Sequence, residues 1–498
     1  MLRSVCCIQV LLITVEQKSI ERTILRNVDW WTVILYLAMV IAGVISIYAA
    51  SYDFDNASIL SFNEFSGKQI RWIGLALVLG LVILLTDARI FEDYAYPFYL
   101  IMVVVLILTI FISPNIKGSH SWIKLGSMSL QPAEFAKCAT ALALGKLFSA
   151  YNFQLTASRQ NFMKALALIF IPILIILAQS ETGSALAYLA LFFVLYREGM
   201  SGLVLLAALC AVVFFVVAMK YSTTVFMGIP TGEALVMALI MIMMVLMTSF
   251  YARSGIEARN LFLGFAAGWS LVWVLSWFGI SLPGYTVFFT MIGAGVVYIV
   301  LTWLHRGIHK LSHVAAAVIM SLIFLFSVNY AFNNILQPHQ QQRINVSLGL
   351  VEDLQGDGYN VNQSKIAIGS GGFLGKGFLQ GTQTKLKYVP EQHTDFIFCT
   401  IGEEEGFVGT IIVIGLFLTL IVRVVGMAER QPTPFGRVYG YCVASYFIFH
   451  LAINVGMVLG LCPVIGIPLP FFSYGGSSLW GFTLLLFILI RLDAARRS

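Results

Sequence analysis

Between residues 343 and 409 an otherwise apolar chain turns polar, and this stretch holds the groups that proton transfer and anion binding require. Glu352, Asp353 and Asp357 offer carboxylates. Arg343, Lys365, Lys376, Lys385 and Lys387 offer cations, and His393, Asp395, Glu403 and Glu404 follow in the same stretch. A positioned carboxylate takes a proton from an attacking hydroxyl, and cations stabilise a departing phosphate. No nucleophilic side chain is needed if the reacting carbon inverts in one step. As an arbitrary polar loop, the same acids read as a solvated turn and the lysines as an interfacial set. Gly369, Gly371, Gly372, Gly375, Gly377 and Gly381 do not make a nucleotide-binding loop: Ser370 stands where its first glycine belongs, and Gly377 follows Lys376 in place of Ser or Thr. A long stretch without secondary structure is usually functional or disordered. This one reads as a functional, turn-rich cover able to move over a long substrate.

The rest of the chain must position these groups, and its composition says how. Of 498 residues, 59% are hydrophobic and 11% charged, against about 25% charged in soluble domains, which places the chain in a bilayer. Apolar stretches of spanning length are expected near 30–51, 70–87, 95–113, 132–150, 163–179, 182–196, 201–220, 232–251, 259–279, 284–304, 313–336, 395–422, 438–460 and 476–491. The fold class is thus an all-α polytopic membrane protein with about fourteen transmembrane helices. It is organised as a short N-terminal segment (1–29), one membrane domain (30–498) and a large extracytoplasmic loop (337–394). The apolar run 5–15 precedes a charged segment and does not read as a cleavable signal.

With both termini in the cytoplasm, 19 of the 30 Lys and Arg fall in loops on the inner side, as the positive-inside rule requires. The polar loop is then on the outer side. The net charge of +6 comes with no block of like charge, so nucleic acid is not an expected partner. Seven cysteines without a CxxC pair give no disulfide or metal framework. His305, His309 and His313 repeat every four residues beside Arg306 and Lys310, and read as an interfacial basic helix end more readily than as a metal stripe.

Three further segments share the loop's side of the membrane: GSHSWIKLGSMSLQPAEFAK ending at 137, QSETGS from 179, and GIPLPFFSYGGSS from 466. Each breaks a span with Gly, Pro or Ser, and together they are placed to floor one cavity. Glu134 and Lys137 lie three residues apart and can pair on one helix face. These segments, with DLQGDGYNVNQSKIAIGSGGFLGKGFLQGTQTKLKYVPEQHTDFIFCTIGEEEG in the loop, resemble the SEDS family (shape, elongation, division and sporulation), and its elongation branch in particular. Two positions depart from the family pattern: Ser121 stands for an arginine, and Ser180-Glu181 for Pro-Asp. Lys117 and Lys124 are the cations left nearby. The family has ten spans. The stretch 201–336 holds five where one is expected, and an even insertion of four leaves Asp353 on the outer face. The inserted sequence suggests no chemistry and reads as a lipid-facing or partner-facing addition.

The resemblance implies a peptidoglycan glycosyltransferase. Such an enzyme polymerises lipid II, a disaccharide-pentapeptide on undecaprenyl diphosphate, during cell elongation, working with a class B penicillin-binding protein and other elongation-complex proteins at the cytoplasmic membrane. Spacing to Gly356, Gly358 and Tyr359 places Asp353 at the family's catalytic acid, as general base. Candidates for substrate binding are Glu134, Lys137, Gln363, Lys365, Lys376 and His393. For His393, Asp395, Glu403 and Glu404 an internal capping network competes with substrate contact. The chemistry allows a divalent cation such as Mg2+ with the substrate diphosphate. The competing functions are a flippase for the lipid-linked precursor and a non-catalytic scaffold of the elongation machinery. No inverted repeat favours transport, and the polar residues gather at one face instead of the midplane.

Overall fold

The computed structural model describes residues 27–52, 64–115, 118–126, 128–334, 341, 345–346, 348, 350 and 357–496. The chain divides into two compact units, residues 1–200 with 359–498, and residues 201–358. Twelve helices among the described residues are long and apolar enough to cross a membrane. The two other expected spans fall short for separate reasons. Pro132–Phe148 has 17 residues and carries a buried ion pair. Thr182–Arg197 is broken by a 3-10 turn at Tyr188–Ala190.

In the first unit, helices start where the sequence supplies caps. Asp29 accepts from the Thr32 N–H at 3.3 Å and Ser158 from that of Gln160 at 3.0 Å. Thr433 accepts from Gly436 with Pro434 in the first turn. The centre is Pro132–Phe148, packed by Pro434–Val458 and Gly476–Ala495. Its sequence PAEFAKCATALALGKLF is rich in alanine, so neighbouring backbones approach closely, and nearly all of it is buried. Gly481 lies on the Glu134 backbone, where even a methyl group would press at 3.1 Å. Tyr439, Phe447 and Phe482 fill the space between these helices.

The second unit is built on Gly202–Lys220, Thr231–Tyr251, Gly255–Trp277, Gly284–Arg306 and Lys310–Asn334. Its core holds Met237, Ile240, Met244, Phe288, Val314 and Val318. Two acids are buried in it. Glu233 accepts from the Tyr285 hydroxyl at 2.7 Å and from the Asn329 amide. Glu257 accepts from Tyr298 and Arg306. This unit therefore carries buried polar ties that its apolar composition concealed.

The polar loop also differs from a structureless cover. Asp357–Gly371 is a 15-residue helix, and Thr382–Lys385 and Ile397–Glu404 are short helices. Ser364, Ala367 and Gly371 are buried on one face of the first. A face of small residues carries little hydropathic signal, which is why periodicity does not reveal it.

At the other end of the first unit an ionic clasp joins three helix ends. Arg423 donates to both Asp29 oxygens at 2.6 and 2.7 Å, and Arg430 bridges Asp29 at 3.1 Å and Asp493 at 2.7 Å. Burial pushes the Asp29 carboxyl up, but Arg423, the Thr32 N–H and Arg430 together hold it below its ordinary value. A carboxyl lowered by folding contributes stability that is complete above the unfolded value of about 3.9 and lost as pH falls through the folded one. Asp29→Ala is expected to cost about 1–2 kcal/mol at neutral pH, the guanidiniums being partly exposed. Thermal unfolding against pH in detergent should also show a shallower acid limb for the variant.

Candidate functional site

The Lys137 ammonium is fully enclosed, 3.0 and 2.9 Å from the two Glu134 oxygens and 3.0 Å from His450 Nε2. It also lies 4.6 Å from the centre of the Phe482 ring. His450 Nδ1 is 3.1 Å from the Pro468 carbonyl oxygen. That bond places the ring proton on Nδ1, so Nε2 presents its lone pair to the ammonium. Glu134 and Lys137 meet as the i,i+3 spacing predicts. His450 was not among the expected site residues, although an ionisable side chain in the run YFIFHLAIN was a signal.

Around this knot the four polar segments meet, the loop hydrogen-bonded to the GIPLPF segment and the QSETGS turn packed beside it. Asn454 donates to the carbonyls of Asp395 at 2.8 Å and Ile467 at 2.7 Å. Ser473 donates to the Thr394 carbonyl at 2.7 Å, and the Tyr474 N–H to that of His393 at 2.9 Å. The His393 ring lies against Phe65, 4.1 Å between centroids, and near Tyr474. Ser364 anchors its helix to the Val458 carbonyl at 2.7 Å. The QSETGS turn joins through Gly183, where a side chain would strike the Ile465 carbonyl at 2.7 Å.

Glu403 organises the loop. Its carboxylate accepts from Lys376 at 2.7 Å, the Gln383 N–H at 2.9 Å, the Thr384 N–H at 2.8 Å and the Thr384 hydroxyl at 2.6 Å. Burial pushes this carboxyl up, and the bonds from Lys376, Thr384 and Gln383 outweigh that and hold it down. Of the two readings left open for the acids here, Glu403 takes the internal one. The glycines serve close packing more than motion. Gly375 and Gly406, both at positive φ, lie backbone to backbone, and Phe407 N–H donates to the Gly372 carbonyl at 3.0 Å.

The two departures from the family pattern touch each other. Ser119 and Ser121 donate to the same Glu181 oxygen, at 2.9 and 3.0 Å. The extra methylene of Glu181 carries a carboxylate to hydroxyls where the family pattern has an arginine and an aspartate. Sixty residues of sequence separate the partners, so the pairing was not legible.

Asp353 lies outside the described residues, as do Glu352, Arg343 and Lys117. The described helix Asp357–Gly371 follows it in sequence. Lys365 projects from that helix, exposed, and its side chain lies across Gly460. Gln363 is half-buried two residues before it. Lys376 is held by Glu403 and Thr382. Among the described residues no three His, Cys, Asp or Glu side chains are grouped to hold a metal ion.

The chain matches the family model described as cell cycle protein, covering FtsW, RodA and SpoVE, over residues 29–253 and 224–498. It is 29% identical over 467 residues to the peptidoglycan glycosyltransferase RodA of Treponema pallidum, covering 94% of this chain and 97% of that one. It is 29% identical over 413 residues to the peptidoglycan glycosyltransferase MrdB of Escherichia coli K12, covering 83% and 81%. Among solved structures it resembles a chain from a peptidoglycan synthase complex that coordinates polymerization and crosslinking, with a TM-score of 0.60 at 21% identity over 94% of this chain and 98% of that one. The rod shape determining protein RodA of Thermus thermophilus gives 0.53 at 21% identity over 95% and 98%.

Two expectations follow from this geometry. Ser121→Ala and Glu181→Gln should each destabilise the protein by about 1 kcal/mol, with a double-mutant coupling of similar size. Additive losses in thermal unfolding would make the two departures independent. Glu404, by contrast, has its carboxyl pushed up to about 7, mainly by burial, with the N–H groups of Leu379 and Gly381 partly opposing and the charges of Glu403 and Glu405 adding to the rise. An acid raised by folding contributes stability present below its unfolded value of about 4.3 and lost as pH rises through the folded one. The melting temperature of the wild type is expected to fall between about pH 4.5 and 7, and Glu404→Gln should abolish that fall.

Proposed function

This chain belongs to the FtsW, RodA and SpoVE family of cell cycle proteins and is a multi-pass membrane peptidoglycan glycosyltransferase, and we propose that it extends glycan strands from lipid II with Asp353 as general base. The reaction runs at the outer face of the cytoplasmic membrane during elongation, with both termini cytoplasmic. The carboxylate takes the proton from the acceptor hydroxyl. The hydroxyl oxygen then bonds to the anomeric carbon of the donor sugar, whose bond to the lipid diphosphate breaks, and the diphosphate leaves with the electron pair. Configuration inverts in that single displacement.

The observation that carries this reading is the convergence of the four motif segments at one end of the first unit, with the helix after Asp353 anchored to Val458. Exposed Lys365, which has no hydrogen-bond or ion-pair partner among the described residues, is the cation best placed on that helix to meet a diphosphate. Lys376, bonded to Glu403 and Thr382, holds the loop first and meets substrate second. Glu134, Lys137, Gln363 and His393 shape the ground beneath it. The likeness to a complex that couples polymerization to crosslinking supports a crosslinking partner, which we take to be a class B penicillin-binding protein within a larger elongation assembly.

Purified with that partner and given lipid II, the wild type is expected to make glycan strands. Asp353→Asn should lower the rate by about 100-fold or more, the usual contribution of a positioned base, and Lys365→Gln should raise the KM for lipid II several-fold with a smaller change in kcat. Undiminished strands from Asp353→Asn would remove it as the base. No strands from the wild type would return the flippase or scaffold reading.

A further inference from the structure

Two large apolar side chains in the polar loop take no part in the proposed reaction. Phe373 and Leu374 follow the helix Asp357–Gly371 and are exposed by 67% and 77%. They cannot fold inward, because the turn that carries them is clamped to the start of Gly406–Glu429. The Lys376 N–H donates to the Glu403 carbonyl at 3.0 Å, the Gly377 N–H to that of Glu404 at 2.9 Å and the Val408 N–H to that of Phe373 at 3.1 Å. The Phe373 ring thereby lies against the exposed Phe407 ring, 5.9 Å between centroids.

Phe407 heads a stripe. Ile411, Leu418 and Val422 are exposed on the same helix, and steps of four and seven residues keep all of them on one side. In a spanning helix such a face is turned to lipid. The exposed acid Glu405 lies elsewhere, over Gly409, on the side away from Phe407.

The length of this helix decides what covers the turn. Its charged inner end begins at Arg423, held in the clasp with Asp29, and no charged residue lies between Glu405 and Arg423. From Arg423 back to Gly406 the helix rises about 26 Å, short of the roughly 30 Å of a hydrocarbon core. Any tilt shortens its reach further. The shortfall lies beyond Gly406, where the turn is clamped, and Phe373 and Leu374 supply apolar surface at that level.

We propose that the Phe373–Leu374 turn is immersed in the acyl chains of the leaflet on the loop's side of the membrane, continuing the lipid-facing stripe of Gly406–Glu429. The partner is hydrocarbon, since the turn presents no charge of its own and the following Lys376 is tied to Glu403. Immersion fixes the level of the helix Asp357–Gly371 against the membrane, because that helix ends where the turn begins.

The test is the fluorescence of full-length Leu374→Trp in phosphatidylcholine vesicles, with the emission of the wild type's nine tryptophans subtracted. The added emission should be blue-shifted and little affected by iodide in the water. Phosphatidylcholine brominated near the top of its acyl chains should quench it more than lipid brominated near their ends. Phe373→Trp should behave alike, and serves if Leu374→Trp does not fold. Quenching by iodide with none from either brominated lipid would put the turn in water and overturn the proposal. Quenching by neither would mean that protein covers the turn, and would overturn it equally.

Discussion

An ammonium ion buried inside a membrane bundle is the constraint from which the first unit is built. Lys137 cannot stand there alone: the desolvation of such a charge costs several kcal/mol even after relaxation. Glu134 supplies the opposite charge, His450 a lone pair and Phe482 a ring face. Each comes with conditions. His450 presents the right nitrogen only because Pro468 fixes its tautomer, so the GIPLPF turn must lie where it does. Phe482 and Glu134 can share this space only because Gly481 lets their helices touch. One charge thus ties together two helices and a turn that lie more than 300 residues from it in sequence.

A second carboxylate does the same for the loop. Glu403 collects donors from 376, 383 and 384, folding a stretch rich in glycine and lysine back onto the end that re-enters the membrane. The glycines allow the backbone contact and Glu403 holds it. The helix Asp357–Gly371 is fixed separately, by Ser364.

Much of this was legible. Apolar runs gave the spans, and Glu134 with Lys137 could be paired from spacing alone. What was hidden follows one pattern. His450, the Ser121 and Glu181 pair and the Glu233 tie each depend on a partner 50 or more residues away, and no local periodicity reports such a partner. The helix at 357–371 was missed for a different reason: its buried face is made of Ser364, Ala367 and Gly371, too small to register as an apolar stripe. Thr182–Arg197 is apolar as the sequence suggests but is a shorter helix, with a 3-10 segment at Tyr188–Ala190.

The second unit shows what must hold a bundle of membrane helices together. Added spans in a bilayer gain nothing from the hydrophobic effect when they pack on each other, since lipid is equally apolar. Specific ties must therefore hold them. Here Glu233 joins the second helix of the unit to the fourth and fifth, and Glu257 joins the third to the fourth. Each acid is satisfied within the unit, so the ties demand nothing from the residues around Lys137. The cost of burying two carboxylates is offset by partners that lie within the same stretch of chain.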